Sequence, residues 1–175
     1  MMNSNGNQQK LFIVCDASAS MTEGGKSLLM RGIVRTVEQY VRFGYADAEI
    51  KLVRLNSSSE ILEWNPDDEF PNELLDGEGS VDIASLSSLL GTKLDGKILL
   101  LTDGCWSKKN IDQMRHWKYT IPPKTVRIIK IGHDNTQLLS NDELFSTDDI
   151  FTVFDNWLPV ADANKRQEES EEDEW

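Results

Sequence analysis

Short runs of apolar residues alternate along this chain with longer stretches in which apolar positions recur every three or four residues. The continuous apolar runs predict β-strands at 11–15, 50–55, 60–64, 97–102 and 125–131, the third being a short strand near an edge. The periodic stretches predict helices over 26–43, 81–90 and 110–119. This alternation predicts an α/β fold in a single domain: a doubly wound, mostly parallel central sheet with helices on both faces.

Three of these elements carry more detailed expectations. The first helix is predicted to bury a face that includes Leu29, Ile33 and Val37. Ser80 has the residue type of an N-cap and is predicted to begin the second helix. Residues 146–161 have apolar side chains at helical spacing and predict a last helix, with a last strand over 150–154 as the alternative.

The two ends of the chain differ in composition from its middle. Residues 1–9 are polar and predict a disordered tail. The run 168–174 contains six acidic residues and no basic one, so 164–175 is predicted to be a second, acidic disordered tail. The folded domain is therefore expected over 10–163.

The charge balance limits the classes of partner. The chain has 18 Lys and Arg against 30 Asp and Glu, a net charge of −12, which argues against a nucleic-acid partner. No apolar run is long enough to cross a membrane, and the N-terminus lacks the profile of a signal peptide. With two cysteines, Cys15 and Cys105, expected to be buried, inert thiols, the chain is predicted to be cytoplasmic.

Polar residues follow the predicted strands where a parallel sheet binds ligands, beyond the carboxyl ends of its strands. Asp16, Ser18 and Ser20 follow the first strand, Asp103 follows the strand at 97–102, and Ser80 precedes a helix. All five side chains offer oxygen atoms, which suit Mg²⁺ better than Zn²⁺. The sequence therefore predicts a divalent metal site formed by these five residues.

The motif Asp16-Ala17-Ser18-Ala19-Ser20 resembles the DxSxS signature of von Willebrand factor A (vWA) domains. Thr102-Asp103-Gly104 is similar to the second acidic corner of their metal ion-dependent adhesion site (MIDAS). The resemblance extends over about 10–160 and favours a small, stand-alone member of bacterial type. It implies that Ser18 and Ser20 ligate the metal directly, while Asp16 and Asp103 act directly or through water.

The chain departs from the family at the remaining ligand, which is usually a Thr in a motif like GGTD. The corresponding residues are Gly79-Ser80-Val81-Asp82, and a strict alignment places Val81, which cannot coordinate a metal, at the Thr position. A shift by one residue places Ser80 there, and Ser80 is the predicted ligand.

The resemblance implies a binding function without catalysis. A Mg²⁺ ion, with Mn²⁺ or Ca²⁺ as alternatives, would keep an open coordination position for an Asp or Glu carboxylate of a partner protein. Small bacterial members of the family suggest an adaptor or co-chaperone, with a MoxR-type AAA+ ATPase or another component of a multi-protein system as partner.

Three other functions have partial support in the sequence. Gly25-Lys26-Ser27 ends like a Walker A loop, with Asp103 ending a Walker B-like strand, but Ser20 stands where that loop needs its first Gly. An aspartyl phosphatase of the haloacid dehalogenase type would need Asp at the position of Ser18. The third is a metal-free vWA-like scaffold, which Val81 favours because its side chain cannot coordinate a metal.

Several residues outside the motifs keep two interpretations. Trp106 is either an aromatic anchor at the binding rim or a residue packed beneath the loop. The acidic stretch 67–78 is expected to be a solvated loop, and His116 and His133 are expected at surface or satisfied positions. The acidic tail either promotes solubility or supplies a carboxylate to a metal site or a partner.

Overall fold

The computed structural model of this chain describes residues 8–132 and 143–161. His133 and nearly all of the two predicted tails lie outside these ranges, so those expectations stay predictions.

The centre of the fold is a six-stranded sheet with the order β3-β2-β1-β4-β5-β6. Its strands are β1 (Lys10–Asp16), β2 (Glu49–Leu55), β3 (Glu60–Leu62), β4 (Gly96–Thr102), β5 (Val126–Lys130) and β6 (Leu144–Ser146). All neighbouring pairs are parallel except β2 and β3. The mostly parallel sheet and the edge position of β3 are as predicted.

Both faces of the sheet are covered, which explains why β1 and β4 are continuous apolar runs. Leu11 and Ile13 of β1 belong to one buried cluster, whereas Phe12 and Val14 belong to a second cluster on the other side. Complete burial of one such side chain contributes about 1.5–3 kcal/mol. The doubly wound arrangement therefore follows from two apolar surfaces that each need a cover.

Three helices provide this cover: α1 (Lys26–Arg42) on one face, and α2 (Ile83–Leu90) and α3 (Lys108–Thr120) on the other. In α1, Ile33 and Val37 are buried as predicted, but Leu29 is 45% exposed. The buried face of α1 is centred one residue further along, on Met30 and Val34. Among the described residues, no helix has both the length and the apolar character that crossing a membrane requires.

The N-cap of α2 differs from the prediction. Asp82, not Ser80, caps this helix, because its side chain accepts a hydrogen bond from the backbone N–H of Ala84. The helix therefore begins at Ile83, and Val81 precedes it with its side chain buried.

Neither interpretation of 146–161 is correct. The strand β6 comes before the apolar stretch, and the stretch itself contains 3₁₀ turns at Thr147–Asp149 and Thr152–Phe154. The Arg127 guanidinium donates hydrogen bonds to the carbonyl oxygens of Val153 and Asp155. These two carbonyl groups therefore have donors without the N–H groups of a further helical turn. Asn156 has a φ of 55°, which also ends helical geometry. The apolar side chains at helical spacing belong instead to aromatic packing, in which Phe154 stacks on Tyr40.

Candidate metal centre

Three strands deliver polar residues to one edge of the sheet, since β2, β1 and β4 are adjacent and parallel. β1 ends at Asp16, β4 ends just before Asp103, and Asn56 follows β2. We call this edge the carboxyl rim. As the sequence predicted, it brings both acidic corners of the candidate site to the same side of the fold.

Asp16 is completely buried and accepts four hydrogen bonds. Its Oδ1 accepts from the backbone N–H of Ser18 at 2.9 Å and from the Ser18 hydroxyl at 2.6 Å. Its Oδ2 accepts from the Thr102 hydroxyl at 2.6 Å and from the Trp106 indole N–H at 3.1 Å. The carboxylate is therefore held by neutral donors on both of its oxygens.

Two effects oppose each other at this carboxyl group. Burial raises the pKa of Asp16 above its ordinary value, because the charged form loses its contact with water. The hydrogen bonds from Ser18, Thr102 and Trp106 oppose that shift, although burial dominates it.

The two serines of the motif lie side by side. The Oγ atoms of Ser18 and Ser20 are 3.3 Å apart, and Ser18 is 6% exposed. The turn that carries them is stabilised by a hydrogen bond from the N–H of Met21 to the carbonyl of Ser18, and the Met21 side chain is buried. The structure therefore brings Asp16, Ser18 and Ser20 into one connected cluster, as the motif predicted.

Asp103 is also completely buried, but its partners are different. Its Oδ1 accepts from the backbone N–H of Cys105 at 3.0 Å. Its Oδ2 lies 3.2 Å from the Nζ of Lys26, which is also 3.5 Å from the carbonyl oxygen of Ser20. A lysine ammonium is thus placed between two of the predicted metal ligands.

The loop before α2 lies against the serine motif. The carbonyl of Gly79 accepts a hydrogen bond from Ala19 N–H, and a Cβ on Gly77 would come within 2.4 Å of the Ser18 carbonyl oxygen. Ser80 is therefore adjacent in sequence to a residue in contact with the motif. Its own side chain is exposed, and among the described residues it makes no hydrogen bond to Asp16, Ser18 or Ser20. The assignment of Ser80 as a ligand stays a prediction.

Four residues of the rim were missed or assigned another role: Lys26, Asn56, Thr102 and Trp106. The Asn56 amide donates to the carbonyls of Ala17 and Glu78 and so fastens the two loops together. Its position directly after β2 was a usable signal, because residues at the carboxyl ends of neighbouring parallel strands meet at this edge. Trp106 is partly buried, packs against the second apolar cluster and donates its indole N–H to Asp16, and its role as an aromatic anchor stays a prediction.

The cysteines next to the two acidic corners have different environments. Cys15 is buried, and burial raises the pKa of its thiol far above the ordinary value. Cys105 is exposed, so the expectation of two buried thiols is correct for Cys15 and wrong for Cys105. His116 is exposed, as expected.

The oxygen atoms at the carboxyl rim are of the chemical type that a hard divalent cation prefers. Two hydroxyl oxygens lie together, with one carboxylate directly behind them and a second at the end of the neighbouring strand. No group of three His, Cys, Asp or Glu side chains suited to a metal occurs in the described part of the chain. A metal at this site would therefore depend on serine hydroxyls.

No protein-family model matches the chain, and no curated protein sequence matches it. Solved structures do. The ArnB paralog VWA2 from Sulfolobus acidocaldarius is 17% identical with a TM-score of 0.52, over 82% of this chain and 43% of that one. An aerotolerance-related membrane protein from Bacteroides fragilis, carrying multiple mutations to serines, is 11% identical with a TM-score of 0.50, over 76% of this chain and 73% of that one.

A third similar structure is proximal thread matrix protein 1 from the mussel byssus, with a zinc-occupied MIDAS motif. It is 12% identical with a TM-score of 0.51, over 85% of this chain and 46% of that one. This chain has a vWA-like fold. It spans less than half the length of the VWA2 and byssus proteins, and at these identities the likeness concerns the fold alone.

Proposed function

We propose that this chain is a protein-interaction module whose carboxyl rim binds an acidic side chain of a partner protein through a divalent cation. The observation that carries the proposal is the hydrogen-bonded cluster of Asp16, Ser18 and Ser20, at the same edge of the sheet as the buried Asp103. The vWA-like fold supports it, and so does the zinc-occupied MIDAS motif of one similar structure.

The chain's own residues have separate tasks in this function. The Thr102 hydroxyl accepts from Gly104 N–H at 3.0 Å, so its proton is directed to Asp16. Asp16, fixed in this way, accepts a hydrogen bond from the Ser18 hydroxyl, which directs the oxygen lone pairs of Ser18 away from Asp16. Ser18 and Ser20 then present two neutral oxygens towards the rim.

The chemistry that a bound Mg²⁺ or Mn²⁺ supplies is the attraction of an incoming carboxylate to an incompletely neutralised positive charge. Neutral hydroxyls remove none of that charge, and the Asp16 carboxylate is shared among four hydrogen-bond donors. No covalent bond is formed or broken, so the proposed role is binding and not catalysis. Adaptor or co-chaperone work inside a multi-protein system is the setting that such a module fits.

Calorimetric titration with Mg²⁺ and Mn²⁺ tests the proposal. The Ser20→Ala variant removes one hydroxyl ligand, and we expect it to weaken the affinity about tenfold or more. Ser88→Ala is the matched control, because Ser88 is exposed on α2, and it should bind as the unchanged chain does. Equal affinity of all three proteins would place the metal elsewhere and refute the proposed site.

A second experiment addresses the partner. Proteins that the immobilised chain retains in Mg²⁺ and releases in EDTA should be absent when Ser20→Ala is immobilised and present with Ser88→Ala. Retention that ignores both EDTA and the Ser20 substitution would contradict a metal-bridged interaction.

One observation favours a second candidate function, a metal-free scaffold. The Lys26 ammonium already neutralises Asp103 at 3.2 Å, so this buried carboxylate needs no metal to balance its charge. In that case neither Mg²⁺ nor Mn²⁺ would produce heat with the unchanged chain, and partner binding would persist in EDTA.

A further inference from the structure

Lys26 is the first residue of α1, and its side chain turns into the carboxyl rim. Its Nζ lies 3.2 Å from Asp103 Oδ2 and 3.5 Å from the carbonyl oxygen of Ser20. The side chain is 14% exposed, and the Asp103 side chain is 0% exposed. A positive charge of the chain itself is therefore held among the residues proposed to bind a metal.

The path of this side chain is formed by the fold. Gly132, just beyond β5, has a φ of +92°, and a Cβ at this position would lie 3.1 Å from the Lys26 Cε. Both the backbone conformation and the close approach therefore favour glycine there. The missing side chain at Gly132 therefore leaves room for the Lys26 side chain.

The position of Lys26 in its helix gives an independent argument. The N-terminus of a helix carries a partial positive charge and favours acidic residues, so a lysine there is unfavourable for the helix itself. The first turn of α1 contains no acidic residue that would compensate. The ion pair with Asp103 offsets this unfavourable position of the lysine.

We propose that the Lys26 ammonium is a built-in competitor of the divalent cation, which must displace it from Asp103 in order to bind at the rim. The inference rests on the proposed function, since it concerns the same site. A divalent cation and an ammonium repel each other at short range, and both are stabilised by the same buried carboxylate. Lys26 can leave, because its flexible four-carbon stem can move the ammonium to solvent.

This competition sets the affinity of the rim for metal. With Lys26 in place, one of the two buried carboxylates is already neutralised, so the site holds a divalent cation weakly. A partner carboxylate that completes the coordination would then be needed to favour the metal over the lysine. The rim would therefore bind metal and partner together more readily than it binds metal alone.

Four proteins test the inference: the unchanged chain, Lys26→Met, Lys26→Arg and Lys10→Met. Lys10 forms an exposed ion pair with Asp95 at 3.0 Å, so Lys10→Met makes the same change in net charge away from the rim. Mn²⁺ affinity is measured by calorimetry at constant pH and ionic strength. The melting temperature of each protein, in EDTA and in Mn²⁺, is the second readout.

We expect Lys26→Met to bind Mn²⁺ about tenfold tighter or more than the unchanged chain. Lys26→Arg and Lys10→Met should stay close to the unchanged chain. Mn²⁺ should also raise the melting temperature of Lys26→Met by more degrees than that of the other three, because the ion replaces the lost ammonium beside Asp103.

The outcomes separate the inference from the proposed function. If the unchanged chain and Lys26→Met bind Mn²⁺ equally, or if the variant binds more weakly, the competition is refuted and the proposed metal site stands. Binding by Lys26→Met alone supports the competition and refutes metal-dependent function of the unchanged chain. Absence of Mn²⁺ binding in all four proteins refutes both.

Discussion

Asp16 ends β1 and Asp103 directly follows the adjacent strand β4, and both are completely buried, yet different partners stabilise them. Asp16 accepts hydrogen bonds from four neutral donors contributed by the motif loop, β4 and the segment after it. Asp103 accepts one backbone hydrogen bond and pairs with the Lys26 ammonium.

The partners of Asp16 are fixed, whereas the partner of Asp103 can be exchanged. Neutral donors embedded in loops and strands cannot leave without disturbing the fold, so the environment of Asp16 is constant. A lysine on a flexible stem can leave, and another cation can take over the neutralisation of Asp103. The β1 corner therefore provides rigidity, and the β4 corner provides the place where binding changes the balance of charge.

The largest expected effect is that of Asp16→Ala. The substitution leaves several buried donors without an acceptor, and each such group costs about 1–3 kcal/mol. We expect the free energy of unfolding to fall by about 3 kcal/mol in total. Urea denaturation measures it, with the exposed Asp76→Ala as control, which should leave the midpoint nearly unchanged. A loss as small as that of the control would mean that the four hydrogen bonds do not stabilise the fold.

An intermediate effect is expected for the coupling between Lys26 and Asp103. A double-mutant cycle with Lys26→Met and Asp103→Asn in EDTA should give a coupling free energy of about 2 kcal/mol, because the pair is shielded from water.

The matched control is the cycle on Lys10 and Asp95, a pair of similar length, 3.0 Å, whose side chains are 35% and 58% exposed. Solvent and salt screen such a pair, so its cycle should show no measurable coupling. Equal coupling in the two cycles would show that burial does not strengthen the ion pair between Lys26 and Asp103.

The smallest expected effect concerns the thiols beside the two corners. Cys105 should react with an alkylating reagent in the native protein, whereas Cys15 should not. Since burial raises the pKa of Cys15, it should stay unreactive even at pH 9.0, the ordinary pKa of a thiol. Both should react in urea. Rapid native labelling of Cys15 would show that the β1 corner opens to solvent as readily as the β4 corner.

Much of the candidate site was predictable, for a specific reason. In a parallel sheet, the residues after neighbouring strands must meet at one edge, so strand assignments alone bring Asp16 and Asp103 together. The motif spacing also predicts that Ser18 and Ser20 lie close to Asp16, because a tight turn leaves them no other place. The N-cap of α2 was not predictable in this way, since Ser80 and Asp82 both have suitable residue types.

The periodicity of apolar residues determined the α/β class, the covered parallel sheet and the edge where the chemistry lies, because burial on both faces requires those patterns. The tertiary structure decided which group satisfies each carboxylate. A hydrogen bond or ion pair needs its partner within about 3 Å. Lys26 and Asp103 are 77 residues apart in the chain, so only the folded positions of α1 and β4 bring them together.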